Sequence, residues 1–348
     1  MMKSVDFADI THQIGQLFPQ EKTVLDYYYI PRKSKQKSCG KLYSKYFNIQ
    51  FKKKKENTSE ASLQSSPSLL KRKPETVEFD CTILAAIKTE LQRSIDDWTF
   101  VCDKWERTFP LRQREIKLLD NITFLQQWPK FKDSRAPSLI DIDFNFIHDG
   151  KLHLLKAKWN LFKEKIKMYY QLHLKNAASK AQLKDAIDTP NNDAEDYILV
   201  ILLNAVLKCT TGYMDKSGKR KRATIKDGEQ CFILHLVSIN DIDHKISEII
   251  DRCYTNNSTV QPFLIVEGSD ITVLKSFYVY FDNIFYKRES FVDALDCTFK
   301  IYQVFNFSYK PICALAWTFI QQFFYDIHSE IDVKSATLCS LINYMKAE

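Results

Sequence analysis

From Phe79 onward, apolar residues recur every three or four positions. Ile83, Ile87, Leu91, Ile95, Trp98, Cys102 and Trp105 keep this spacing, which predicts one long helix broken at Thr108-Phe109-Pro110. Ile116, Leu119, Ile122 and Leu125 predict a second helix ending at Trp128-Pro129. Leu155, Trp159, Phe162, Ile166, Tyr170 and Leu174 predict a third. One apolar stripe per helix implies an antiparallel bundle over 79–190. Within it, "LIDIDFNFI" (139–147) alternates at period two, as a strand would. A lone strand among helices has nothing to pair with, so a short helix or an extended turn is expected there.

The pattern changes after "TPNNDAED" (189–196), which reads as a boundary. "YILVILLNAVL" (197–207) predicts a buried helix whose first turn carries Asp and Glu, as the helix dipole prefers. This run is about half the roughly 20 residues that cross a bilayer, so no membrane partner is expected. "TTGYMDKSGKRKRATIKDGEQ" (210–230) reads as a loop. "CFILHLVSI" (231–239) and "PFLIVEG" (262–268) predict strands, with a helix from Asp241 to Cys253 between them. "KSFYVYFDNIFYKR" (275–288) predicts a hairpin turning at Asp282-Asn283. Aromatic-rich helices from Phe291 to Phe305 and from Cys313 to Ile327 close the chain.

Ahead of the bundle, Phe7, Ile10, Ile14, Leu17 and Phe18 predict a short amphipathic helix ended by Pro19. Residues 56–78, rich in Ser, Glu and Thr, predict a disordered linker. The expected fold class is α+β, predominantly helical. Its expected parts are an amphipathic helix plus basic arm (1–55), the linker (56–78), a helical bundle (79–190) and a small sheet covered by helices (191–348).

Charge sharpens this picture. The net charge is +7. Residues 1–78 hold 15 Lys and Arg against 8 Asp and Glu, while residues 79–348 hold 35 of each, so the whole surplus lies in the first segment. No acid interrupts residues 27–55, which carry Arg32, Lys33, Lys35, Lys37, Lys41, Lys45, Lys52, Lys53, Lys54 and Lys55 among Tyr, Phe and Leu side chains. Cations at flexible reach neutralise phosphates, and interleaved aromatics stack on bases, so non-specific binding to a nucleic-acid backbone is expected of these ten residues. Lys71, Arg72 and Lys73, and Lys219, Arg220, Lys221 and Arg222, have the composition of nuclear-import signals. The nucleus is the expected compartment and the cytoplasm its alternative. The competing functional expectation is an adaptor that meets protein partners, or itself, through the N-terminal amphipathic helix and the C-terminal module.

Enzyme chemistry finds little support. Seven glycines include no GxGxxG, GxSxG or Walker-type loop, and the seven histidines form no HExxH or HxxxH pair. Nine cysteines, none closer than 16 residues to the next, offer no CxxC and read as reduced thiols of an intracellular protein. Asp6 and Asp9 stand where a signal peptide needs an apolar core, so secretion is not expected. Asp141 and Asp143 could share a divalent cation, but no third ligand stands at recognisable spacing; capping or surface carboxylates are the expected reading. Glu267, Asp270 and Lys275 follow a strand as nuclease carboxylates and lysines do, yet lack the acid-x-Lys spacing. No metal, no cofactor and no enzymatic activity are expected.

"IGQLFPQEKTVLDYYYIPR", "GKLYSKYFN", "WNLFKEKI", "QPFLIVEG", "SFYVYFDNIFYKRESFVDALDCTFKIYQVFNFSYKP" and "WTFIQQFF" together resemble a variable group of animal proteins associated with mobile-element expansions. Some members of that group carry a sterile-alpha-motif domain. The resemblance spans most of the chain and is most distinctive in its last third. It implies an accessory or domesticated mobile-element protein and brings no catalytic residues with it.

Overall fold

The computed structural model describes residues 4–19, 25–29, 31, 42, 46, 81–93, 97–209, 212–214, 220–255, 260–329, 332–333 and 335–347. The chain divides into two units, Met1–Val77 and Glu78–Glu348. The linker expected at 56–78 lies outside the described residues.

In the first unit, a helix spans Ser4–Leu17. Its buried residues are Phe7, Thr11 and Gly15, with Ile10 and Ile14 half-buried. Phe7 stacks on Tyr29 and meets Tyr46 edge-on, each with ring centroids 5.4 Å apart. Leu17 and Phe18, expected on the apolar face, stand 74% and 53% exposed. They lie at the helix end, beyond the Phe7–Thr11 contact face.

The second unit is a helical layer wrapped on a four-stranded sheet, an α+β fold dominated by helices. The long helix expected from 83 to 105 is instead two, Cys81–Leu91 and Trp98–Arg107. Asp97 starts the second by accepting from the Thr99 and Phe100 amides, as an N-cap does. The apolar spacing runs across the break because both helices face one core. The predicted second helix also splits, into Phe109–Leu118 and Asn121–Gln127, with Asp120 capping the latter through Thr123 N. Residues 139–147 are helical, within Pro137–Ile147. Leu139, Ile140, Asp143 and Phe144 fall on one helical face, so burial of that face overrides the period-two pattern. The long third helix, Leu154–His173, forms as its spacing predicts. Ala177–Asp188 adds a helix too sparsely apolar to stand out in sequence. The run at 197–207 is buried within helices Asn192–Ile201 and Leu203–Val206. Among the described residues, no helix is long and apolar enough to cross a membrane.

Strands β1 (Gly212–Met214) and β2 (Arg220–Arg222) form a two-stranded ribbon, and the larger sheet runs β3–β4–β5–β6, where β3 is Ile233–Leu236, β4 Phe263–Asp270, β5 Val273–Phe281 and β6 Ile284–Arg288. β3 and β4 pair in parallel across the helix Ile242–Thr255, and the other pairs are antiparallel. Strand β3 is shorter than the nine-residue segment 231–239 suggests, because Cys231 and Phe232 still belong to the preceding helix. Asp282 and Asn283 both have positive φ, 48° and 63°, which gives the hairpin turn the twist that the strands require.

Alternation along the strands sends Leu264, Val266, Phe277, Val279 and Phe281 into the main core. Phe263, Ile265 and Tyr280 meet Leu236 and Ile246 in a smaller core on the opposite face. Helices thus cover both faces, which explains why six consecutive β4 residues are buried. The main core is continuous from Ile87 to Met345, so segments 79–190 and 191–348 share it rather than dividing at residue 190. Phe305 touches Phe124, Phe131 and Phe281, and Trp159 stacks on Phe324 at 5.4 Å. Large aromatics from distant segments make this junction because each buries much apolar area per side chain ordered. The C-terminal aromatic helix ends in a π turn at Ile320–Phe324, and a final helix, Ala336–Lys346, packs its Leu338, Leu341, Ile342 and Met345 into the same core.

Candidate nucleic-acid interface

The ten cations of the basic arm (32–55) and the Lys71–Lys73 cluster lie outside the described residues, as does Lys219. Arg220, Lys221 and Arg222 are described, and they do not lie in a loop. They form strand β2, paired antiparallel with β1 (Gly212–Met214) in the register Gly212 with Arg222, Tyr213 with Lys221 and Met214 with Arg220. The second half of the expected loop is a helix, Ile225–Phe232. A capping box starts it. Thr224 Oγ1 accepts from Asp227 N at 3.1 Å, and Asp227 Oδ2 accepts from Thr224 N at 2.8 Å. This T-x-x-D signature is present in the sequence, but the surrounding lysines, glycines and threonines mask it as loop.

The ribbon and this helix stand beside a cavity of about 240 Å³, lined by Asn204, Lys208, Cys209, Arg222, Thr224 and Gly228 among others. Gly228 brings the helix against Asn204: a Cβ there would meet Asn204 Oδ1 at 3.0 Å. The Asn204 amide donates to Ile201 O, which fixes that wall. Lys208 also lines a second cavity of about 370 Å³ beside Val206, Leu315 and Ser335. Sequence reasoning missed Lys208, since one lysine after a buried apolar run carries no signal. Among the described residues, Lys208 and Arg222 are exposed and form no ion pair.

Elsewhere in the unit, several cations are matched with its own carboxylates. Lys88 bonds Glu115 at 2.7 Å, Lys163 bonds Glu195 at 2.8 Å, and Lys156 bonds Asp293 at 2.5 Å. Lys300, only 2% exposed, lies 2.7 Å from both Asp141 and Asp296, and Tyr325 donates to Asp296. Burial opposes the Lys300 charge, but the two carboxylates outweigh it and hold the ammonium above its usual range. Burial pushes the Asp296 carboxyl up, against the pull of Lys300. This triad ties the Pro137–Ile147 helix to the Phe291–Val304 helix.

Asp143 faces the other way, onto Arg112, so the two aspartates of "IDID" serve different cations. Arg112 Nε donates to Asp143 Oδ2 at 3.1 Å and Nη2 to Oδ1. Lys275 reaches Glu267 at 3.4 Å, and Glu267 also accepts from Ile239 N, while Asp270 Oδ1 accepts from Thr272 N. These acids therefore anchor a loop and a turn. Among the described residues, no group of three or more His, Cys, Asp or Glu side chains is placed to hold a metal ion.

No family model, curated protein or solved structure matches this chain.

Proposed function

We propose that this is a non-enzymatic nuclear protein that binds nucleic-acid backbone without sequence choice through the cations of residues 32–55. One observation carries the reading: the entire +7 surplus belongs to residues 1–78, and residues 79–348 balance. Paired lysines such as Lys88, Lys163 and Lys300 support it, because their charge is already compensated within the fold. Unmatched cations close together attract a polyanion by releasing its condensed counterions. The tyrosines and phenylalanines among them supply faces for bases to stack on. Origin from a mobile element, which the quoted segments imply, belongs to the same proposal.

The test replaces all ten arm cations by Gln in the full chain and measures affinity for a duplex at several salt concentrations. If about six of the ten meet phosphates, the wild-type slope of log affinity against log salt is about −5, and the substitutions remove most of it. Equal affinity and equal slope in both proteins would overturn the reading.

A further inference from the structure

The segment from Lys208 to Lys226 holds seven Lys and Arg against a single acid, Asp215, so it is a local cationic concentration in a region that is balanced only as a whole. The fold does not disperse this surplus. It places Arg220, Lys221 and Arg222 on consecutive positions of a two-stranded ribbon. Lys208 and Arg222, 14 positions apart in sequence, are brought to the lining of one cavity of about 240 Å³. The hydroxyl of Thr224 lines the same cavity, at the N-terminus of the Ile225–Phe232 helix. Asp227 already caps that N-terminus, so the attraction for an anion comes from the two side chains rather than from the helix end. Both side chains are exposed, and among the described residues neither is neutralised by a carboxylate, unlike Lys88, Lys163 or Lys300.

We infer that the Lys208–Arg222 cavity receives a phosphodiester of a nucleic-acid backbone and that the β1–β2 ribbon lies along the neighbouring phosphates. Two cations lining a small cavity suit a compact dianion or a single backbone phosphate, and the two further basic residues in β2, Arg220 and Lys221, favour the polymer over the isolated ion. Such contacts hold and orient a strand but read no base. The inference rests on the proposed backbone binding and adds to it a second, folded contact region. A chain with both engages one strand at two places, and each place raises the effective concentration of the other.

The experiment uses the full chain and a fluorescent duplex of about 30 base pairs, titrated between about 50 and 200 mM salt. Three variants are compared with wild type: Lys208→Ala with Arg222→Ala, the charge-preserving Lys208→Arg with Arg222→Lys, and the ten-fold Gln substitution of the arm. Thermal melting first confirms that each is folded. The alanine pair is expected to weaken binding and to make the salt slope shallower by about 0.9, the one phosphate that both side chains hold, whereas the charge-preserving pair keeps the wild-type slope. If the alanine pair leaves affinity and slope unchanged while the arm substitution reduces both, the cavity is not a contact and the arm reading stands alone. If the alanine pair acts and the arm substitution does not, the cavity stands and the arm reading falls. If neither acts, both fall. Competition by inorganic phosphate as effective, charge for charge, as competition by unlabelled duplex would also overturn the assignment to a polymer backbone.

Discussion

Arg112 and Asp143 are both 0% exposed, so separating them leaves a charge buried without its partner. The guanidinium is held on three sides. Nε and Nη2 donate to the carboxylate, Nη1 donates to Thr108 Oγ1 at 2.6 Å, and the plane lies 4.0 Å from the Trp105 ring centroid. Burial disfavours charge on both partners, pushing the guanidinium down and the carboxyl up, and the attraction between them opposes both shifts. Asp143→Asn preserves volume but removes the negative charge. Arginine does not give up its proton, so the variant keeps a buried cation with no counter-charge. Breaking a buried pair in this way costs about 3–5 kcal/mol, a large part of the about 5–15 kcal/mol that holds a typical protein folded. With a urea dependence of about 3 kcal/mol per molar, the unfolding midpoint falls by about 1–1.7 M. Urea titration followed by tryptophan fluorescence reads the change where it happens, since Trp105 and Trp128 both flank Arg112. The double variant Arg112→Met with Asp143→Leu, which leaves no buried charge, is expected to recover most of the loss. A midpoint shift under about 0.3 M for Asp143→Asn, or a double variant as unstable as the two single losses combined, would refute this account.

Two further outcomes follow from buried groups. Burial holds the half-buried His148 below its ordinary range, against the hydrogen bond with Gln303 at 3.2 Å, so the unfolded chain takes up its proton first as pH falls. Stability is therefore complete above about pH 6.5 and declines below it, and His148→Gln should flatten that limb in melts run from pH 7 to 5. Burial also drives the Cys297 thiol up to about 12, whereas Cys339 is exposed. Iodoacetamide at pH 8 followed by peptide mass spectrometry should label Cys339 and spare Cys297 until denaturant is added, and equal labelling of the folded protein would contradict the packing.

How far each element could be read from the chain depended on whether its signal was local. The spacing of Leu155 to Leu174, the alternation around Asp282-Asn283 and the aromatic runs after Phe291 each specify an element through neighbours a few residues away, and each forms. Where one core imposes the same spacing on successive helices, the spacing is silent about the joints, and only the cap carboxylates of Asp97 and Asp120 place them. Residues 139–147 show the converse: an alternating string becomes a helix because packing supplies the missing partner.

The sequence alone determined the charge asymmetry, since counting Lys, Arg, Asp and Glu requires no coordinates, and it determined the helical and strand character wherever periodicity is clean. Only the tertiary structure decided which charges cancel. Asp141 and Asp143 stand two positions apart, yet a helix turns them onto Lys300 and Arg112 respectively. Lys208 and Arg222 come to one cavity because a β-ribbon folds the intervening chain back on itself. Periodicity records how a residue relates to its own element, whereas pairing between elements depends on distances that chain closure sets.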